Sequence, residues 1–337
     1  MTMTEDPGVL NKLILVHGHS LKPSEAALRD ISVQALKSGV RRDFPDDAKW
    51  MDTISYEFAY YGDLGNQRLL NGADTYDESL DIGDRQNALK ALQAINARKK
   101  FGVRQYDMLP GKTATKEAIA DVCAPLMGVL GLTLPLISWA VPDLAAYLRN
   151  TDGFGDAVRD RVRDKITASI DNGDRLMLVT HGMGSVVTFD VLWQLSRDAA
   201  YSDYADSKID TFVTLGSPLC DNFLRRYLLG AREHGMRRYP GNIISWLNLS
   251  AEDDYICHDG TIADDLSKMM RHKIVSQVRD FRIYNQAVRY GRSNPHSSVG
   301  YYVHPRLSKI IRDWLVRDNS ELTDTRLSSD SAGASDR

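Results

Sequence analysis

The sequence predicts an α/β chain: a mostly parallel sheet flanked by helices, with a helical insertion. Three observations predict it. Short apolar runs at Leu13 to Val16, Leu176 to Val179 and Ile209 to Leu215 each end in a glycine turn, as buried strands of a parallel sheet do. Helical patterns lie between such runs, the clearest at Asp156 to Asn172, where Val158, Val162, Ile166 and Ile170 recur at four-residue spacing and Asn172-Gly173 supplies a stop. At Leu176 to Leu192 an apolar run passes through Thr180-His181-Gly182-Met183-Gly184 directly into a helical pattern, so a strand turns sharply into a helix.

Taken in order, Lys12 to Val16 reads as a strand ending in His17-Gly18-His19-Ser20, and Pro23 opens a helix with Leu28, Ile31, Ala35 and Leu36 on one stripe. Trp50 to Tyr61 reads as the second strand, stopped by Gly62-Asp63, which completes a strand–helix–strand unit. The stretch before the Leu176 strand is longer than a crossover needs. Within it, Gly65 to Asp84 reads as polar loop and Arg85 to Lys100 as helix. Val122 to Pro142 carries no charged residue, and its length would just allow a membrane span. Pro125 and Pro135 interrupt it and neither flank has a basic excess, so a lid or pocket wall is the expectation, with plain core and membrane contact as the other readings. Ile209 to Leu215, Asn242 to Leu249 and Phe281 to Val288 read as the later strands, and Arg306 to Val316 as a closing amphipathic helix. The division expected is a core over 8–62 and 153–318, an inserted cap over 63–152, and a disordered tail over 319–337, where Ser, Asp and Thr dominate.

A net charge of −3 over 337 residues creates no strong field, so nucleic acid is not expected as a partner and an anionic membrane is not favoured. Cys123, Cys220 and Cys257 are too scattered for a disulfide framework or a zinc site, which makes a reducing cytoplasm the expected compartment. The N-terminus is acidic and its first apolar run too short for a signal peptide. His17, His19 and His258 lack metal-ligand spacing, and no glycine-rich loop carries a phosphate-binding lysine. Neither metal nor organic cofactor is expected.

The turn at residues 180–184 has the form small-x-nucleophile-x-small, in which flanking small residues let a strained turn present the central side chain. Thr180 and Gly184 fill the flanks, but the centre is Gly182, which has no side chain. His181-Gly182-Met183-Gly184 resembles the His-Ser-Met-Gly elbow of bacterial lipase-like and esterase-like members of the α/β-hydrolase superfamily, missing the one position that attacks. Ser185 is the alternate nucleophile, although Met183 and Val187 would then occupy the places that need small residues.

That resemblance implies roles for other positions. The loop His17-Gly18-His19 matches the oxyanion loop, so the backbone N–H groups of His19 and Met183 would bind the developing oxyanion. Thr214-Leu-Gly216-Ser217-Pro resembles a segment found after the elbow helix in lipase-like members, which implies that Gly216 and Ser217 line the site floor; a simple turn is an equal reading. The pattern Asp-x-(Val/Ile) aligns on Asp254-Tyr255-Ile256, making Asp254 the acid and Asp253 its substitute, and His296 matches the late catalytic base, with His304 as rival.

The function implied is cleavage of a carboxylic ester or related acyl bond by a scaffold that is inactive as it stands because Gly182 replaces the nucleophile. A hydrophobic acyl-containing small molecule or lipid is the expected ligand, given the uncharged stretch at 122–142. The alternative is a non-catalytic protein that uses the pocket for a hydrophobic ligand or a partner protein. A third reading has His296 activate a water without a covalent intermediate.

Overall fold

The computed structural model describes residues 10–70, 75–111, 141–257, 262–263 and 266–317. Six strands form one parallel sheet: β1 (Asn11–Val16), β2 (Ser55–Ala59), β3 (Arg175–His181), β4 (Ile209–Leu215), β5 (Ile243–Ala251) and β6 (Gln277–Ile283), in the order β2-β1-β3-β4-β5-β6. The order reverses at β1, whose neighbours are β2 on one side and β3 on the other. Loops leaving the carboxyl ends of β1 and β3 therefore diverge, which opens a crevice where ligands bind in open α/β sheets.

Helices cover both faces, and the period-two alternation of the strands decides which residue meets which layer. Ile14, Val16, Leu176 and Leu178 face a layer holding α5 (Pro142–Leu148), α6 (Phe154–Asp171) and α7 (Met183–Arg197). Leu13, Leu15, Met177 and Val179 face α1 (Glu25–Asp43), α3 (Glu78–Gln93), α9 (Ser298–Val303) and α10 (residues 305–317). Shorter helices are α2 (Gly62–Leu69), α4 (Val103–Tyr106) and α8 (Ser267–Arg271). The sheet is thus buried on both sides, which is why its central strands read as unbroken apolar runs.

Four boundaries differ from the sequence expectation. The second strand is Ser55–Ala59 and not Trp50 to Tyr61, because its partner strand offers only Lys12 to Val16 for pairing and Pro45 starts a 3-10 turn that runs to Asp52. The last strand begins at Gln277, not Phe281; its polar residues are tolerated at the sheet edge, where β5 pairs with it from Ser245 to Ala251. Residues 65–84 are not loop throughout: α2 fills Gly62–Leu69, and α3 starts at Glu78, with the Asp77 carboxylate accepting from Leu80 N at 2.9 Å. The expected Arg85 to Lys100 helix accordingly ends at Gln93. Leu89 and Leu92 of α3 join the same core cluster as α1 and α9, so this part of the expected insertion builds a core layer.

Of the uncharged stretch, residues 122–140 lie outside the described residues, as does the tail at 319–337. Among the described residues no helix is long and apolar enough to cross a membrane.

Candidate functional site

Strand β3 ends at His181 and α7 starts at Met183, leaving Gly182 alone to make the turn. Its φ of 53° and ψ of −123° lie where an L side chain is strained, which glycine tolerates. Gly182 N still donates to Leu215 O at 2.9 Å, so the sheet ladder runs up to the turn. A Cβ placed on Gly182 would stand 3.1 Å from His296 Nε2 and 3.3 Å from its Cε1. The vacant side-chain direction at 182 therefore points at the imidazole.

His296 is held from all sides. Its Nδ1 lies 2.9 and 3.0 Å from the two carboxylate oxygens of Asp254, whose side chain is fully buried, while its Nε2 is buried with no partner among the described residues. Asp254 also accepts from the Tyr301 hydroxyl at 2.7 Å and from Ile256 N at 3.1 Å, and Tyr301 in turn accepts from Ala251 N at 2.9 Å. Burial pushes the Asp254 carboxyl up, but the adjacent imidazole and these hydrogen bonds outweigh it and hold the group below its ordinary value. Asn285 grips the backbone on both sides of His296, donating to Pro295 O at 2.8 Å and Ser297 O at 2.9 Å. His181 Nε2–H donates to the His296 carbonyl at 2.9 Å. Burial, followed by the neighbouring His296, drives His181 well below its ordinary value, so it is a neutral prop for that loop.

The close approach depends on glycines. At Gly184 a Cβ would meet His17 O at 2.3 Å, so α7 can pass the end of β1 only without a side chain there. At Gly18 it would meet His181 Nδ1 at 2.8 Å, and at Gly216, with φ of 54°, it would meet Asp254 Oδ2 at 2.8 Å.

The loop after β1 is equally fixed. His17 is pushed down to about 3 by burial, followed by the nearby Lys22 charge, and is neutral: Tyr61 N donates to its Nε2 at 3.1 Å, and its Nδ1–H donates to Gly18 O at 2.8 Å. Lys22, buried, donates to the carbonyls of His19 and Ser20. Ser20, at φ of 77°, donates its N–H to Asp143 at 2.7 Å. The backbone N–H groups of His19 and Met183 donate no hydrogen bond among the described residues; Met183 is the first residue of α7, where an N–H has no helical acceptor. The His19 ring stacks 5.5 Å from that of His296, and burial, then His296, lowers its basicity.

Gly182, Asp254, His296, His19, Met183, His181, Gly184 and Gly18 thus adjoin one another around the ends of β1 and β3. The alternates have other partners. Ser185 is fully buried and accepts from the Thr180 hydroxyl at 2.9 Å, on the inner side of the turn. Asp253 accepts from the Tyr106 hydroxyl at 3.0 Å. His304 sits at the start of α10, pushed down to about 3 by burial and then Arg42, with Nδ1 accepting from Arg306 N at 3.1 Å. Ser217 accepts from Leu219 N at 3.3 Å and caps a short turn, while its neighbour Gly216 makes the floor beneath the Asp254–His296 pair.

Sequence reasoning missed Tyr301, Asn285, Lys22 and Asp143. Their partners lie 47, 10 to 12, 2 to 3 and 123 residues away. Only Asn285 follows a visible signal, since it lies just past the last strand. An acid–imidazole pair, with an imidazole nitrogen and two backbone N–H groups that have no partner among the described residues, is chemically able to accept a proton and to donate hydrogen bonds to an anionic oxygen. Among the described residues no cluster of three or more His, Cys, Asp or Glu could hold a metal. Comparison of the chain with protein-family models, with curated proteins and with solved structures gave no match.

Proposed function

We propose that the chain is a serine-hydrolase scaffold of the α/β-hydrolase type, built to cleave a carboxylic ester or related acyl bond, in which glycine occupies the nucleophile position. The observation that carries this reading is the line from residue 182 to His296: a side chain at 182 would begin 3.1 Å from an imidazole nitrogen that is buried and has no partner among the described residues. A hydroxyl there would give its proton to Nε2 as it attacked an acyl carbon. Asp254 would hold the Nδ1–H tautomer and favour the imidazolium that forms, and the N–H groups of His19 and Met183 would face the carbonyl oxygen as it gains charge. The start of α7 adds its positive end to the same place.

Gly182→Ser is the test, with 4-nitrophenyl esters of short and medium acids as substrates. Restoring a catalytic nucleophile is expected to raise the hydrolysis rate by several orders of magnitude, the converse of the roughly millionfold loss on removing one. A serine variant that folds and has no more activity than the glycine protein would overturn the reading. The non-catalytic alternative is favoured by one feature, the absence of any side chain at 182. Under it the serine variant stays inert while an acyl ligand still raises the melting temperature.

A further inference from the structure

Beside His19 and Ser20 lies an open cavity of about 570 Å³, lined on its other side by Tyr76, Asp81, Arg85 and Arg289. Ionic side chains stand there beside the apolar Leu21, Leu69 and Pro142, whereas the acyl pocket expected from the sequence is apolar. The carboxylates of this wall are committed. Asp81 accepts from Arg85 Nε at 3.0 Å, Tyr76 Oη at 2.9 Å, Arg289 Nη2 at 2.6 Å and Tyr290 Oη at 3.2 Å. Asp84 accepts from Arg289 Nε and from Tyr290 N. Asp143, also on the wall, accepts from Ser20 N at 2.7 Å and Leu144 N at 3.1 Å.

Arg85 differs from Arg289. Its side chain is 9% exposed, yet it gives only Nε to a partner, and its Nη1 and Nη2 donate no hydrogen bond among the described residues. The two Nη groups are not among the buried atoms left without a partner, so they meet the solvent of the cavity and present there a planar fork matched to a carboxylate. Lys22 is buried nearby, and after burial itself the Arg85 charge is the largest influence lowering its ammonium. An anion at the fork would relieve that repulsion.

We propose that this cavity is a recognition subsite for a carboxylate, with Arg85 Nη1 and Nη2 as its bidentate donors, so that the ester cleaved is one whose acyl or leaving part bears a free carboxylate. The assignment of the reaction rests on the hydrolase reading; the binding of a carboxylate does not. A carboxylate is favoured over a phosphate because the fork matches two coplanar oxygens, and Asp81 and Asp143 on the cavity wall would repel a second negative charge carried on the same group.

The test uses the full chain and two probes, glutarate and its neutral analogue glutaramide, titrated by calorimetry at low salt. Glutarate is expected to bind and glutaramide to bind about tenfold more weakly or worse. Arg85→Gln should abolish the difference, and Arg85→Lys, which keeps the charge and loses the fork, should retain part of it. The Lys variant also serves if Arg85→Gln does not fold. Equal binding of the two probes, glutarate binding unchanged by both substitutions, or tighter binding of inorganic phosphate overturns the subsite. In the Gly182→Ser protein, kcat/KM for a 4-nitrophenyl hemiglutarate relative to 4-nitrophenyl butyrate should fall about tenfold on adding Arg85→Lys. Glutarate binding without turnover in that protein overturns the hydrolase reading alone. Turnover with no preference for the anionic ester overturns the subsite alone.

Discussion

Replacing Gly182 by alanine and by serine separates the geometry of the turn from any question of catalysis. At φ of 53° and ψ of −123° an L side chain is strained by about 1–3 kcal/mol. The new Cβ would also press on His296, 3.1 Å away, but that ring is on a loop with 21% of its side chain exposed and can yield by a few tenths of an ångström. Stiffening of the unfolded chain returns about 0.4–1 kcal/mol. Alanine should therefore lower stability by about 1–2 kcal/mol. Serine carries the same strain but can donate to His296 Nε2, which has no partner among the described residues, a bond worth about 0.5–1.5 kcal/mol, so it should lie about 1 kcal/mol above alanine. Urea denaturation of the three proteins measures both differences. Repeating the pair in a His296→Ala background isolates the contact, since the serine–alanine gap should then close. A gap that survives loss of the imidazole, or an alanine variant as stable as the glycine protein, would refute the placement of residue 182.

Tyr301→Phe removes a donor to Asp254 and the acceptor for Ala251 N. Asp254 has a depressed folded pKa, so it contributes stability above its unfolded value that is lost as pH falls through the folded one. Losing the hydroxyl moves the folded value back up, and the acid-unfolding midpoint should shift to higher pH; an unchanged midpoint would count against Tyr301 as the support of Asp254. Lys22 shifts stability with pH in the same direction, as a burial penalty on its charged form. Burial lowers its folded pKa from 10.5 to about 7, so the unfolded chain binds more protons between those values. Its penalty is full below about pH 7 and is relieved as pH rises towards 10.5, a span on the order of 4–5 kcal/mol. Urea midpoints at pH 6 and pH 9.5 should show this rise, and Lys22→Met should flatten it.

The positions proposed to carry chemistry were readable because their signals are local. Thr180-His181-Gly182-Met183-Gly184 joins a strand to a helix within five residues, and the choice of Asp254 and His296 follows from chain order, the first just past β5 and the second in the segment between β6 and α9. Sheet alternation also lies in the sequence, because buried parallel strands leave unbroken apolar runs. Strand ends were less legible: β2 stops where β1 stops offering partners, and the register that pairs Lys12 with Ser55 is a property of two strands together. The same holds for α3, whose polar first turn hides an Asp77 cap.

What the tertiary structure alone decided is how the site is held. Asp254 against Asp253 and His296 against His304 are choices between side chains of one kind; in the fold His296 faces residue 182 and Asp254 pairs with His296, whereas Asp253 and His304 have other partners. Tyr301, Asn285, Lys22 and Asp143 gain their roles from hydrogen bonds to groups that the fold brings up, and Arg85 becomes conspicuous only once Asp81 is seen to be satisfied by four donors. The sequence by itself determines where the chain turns and which residue types stand at those turns, since backbone sterics act over a few residues. Which buried polar groups meet, and which are left unmet, depends on distances across the whole sheet, and those exist only when the chain is folded.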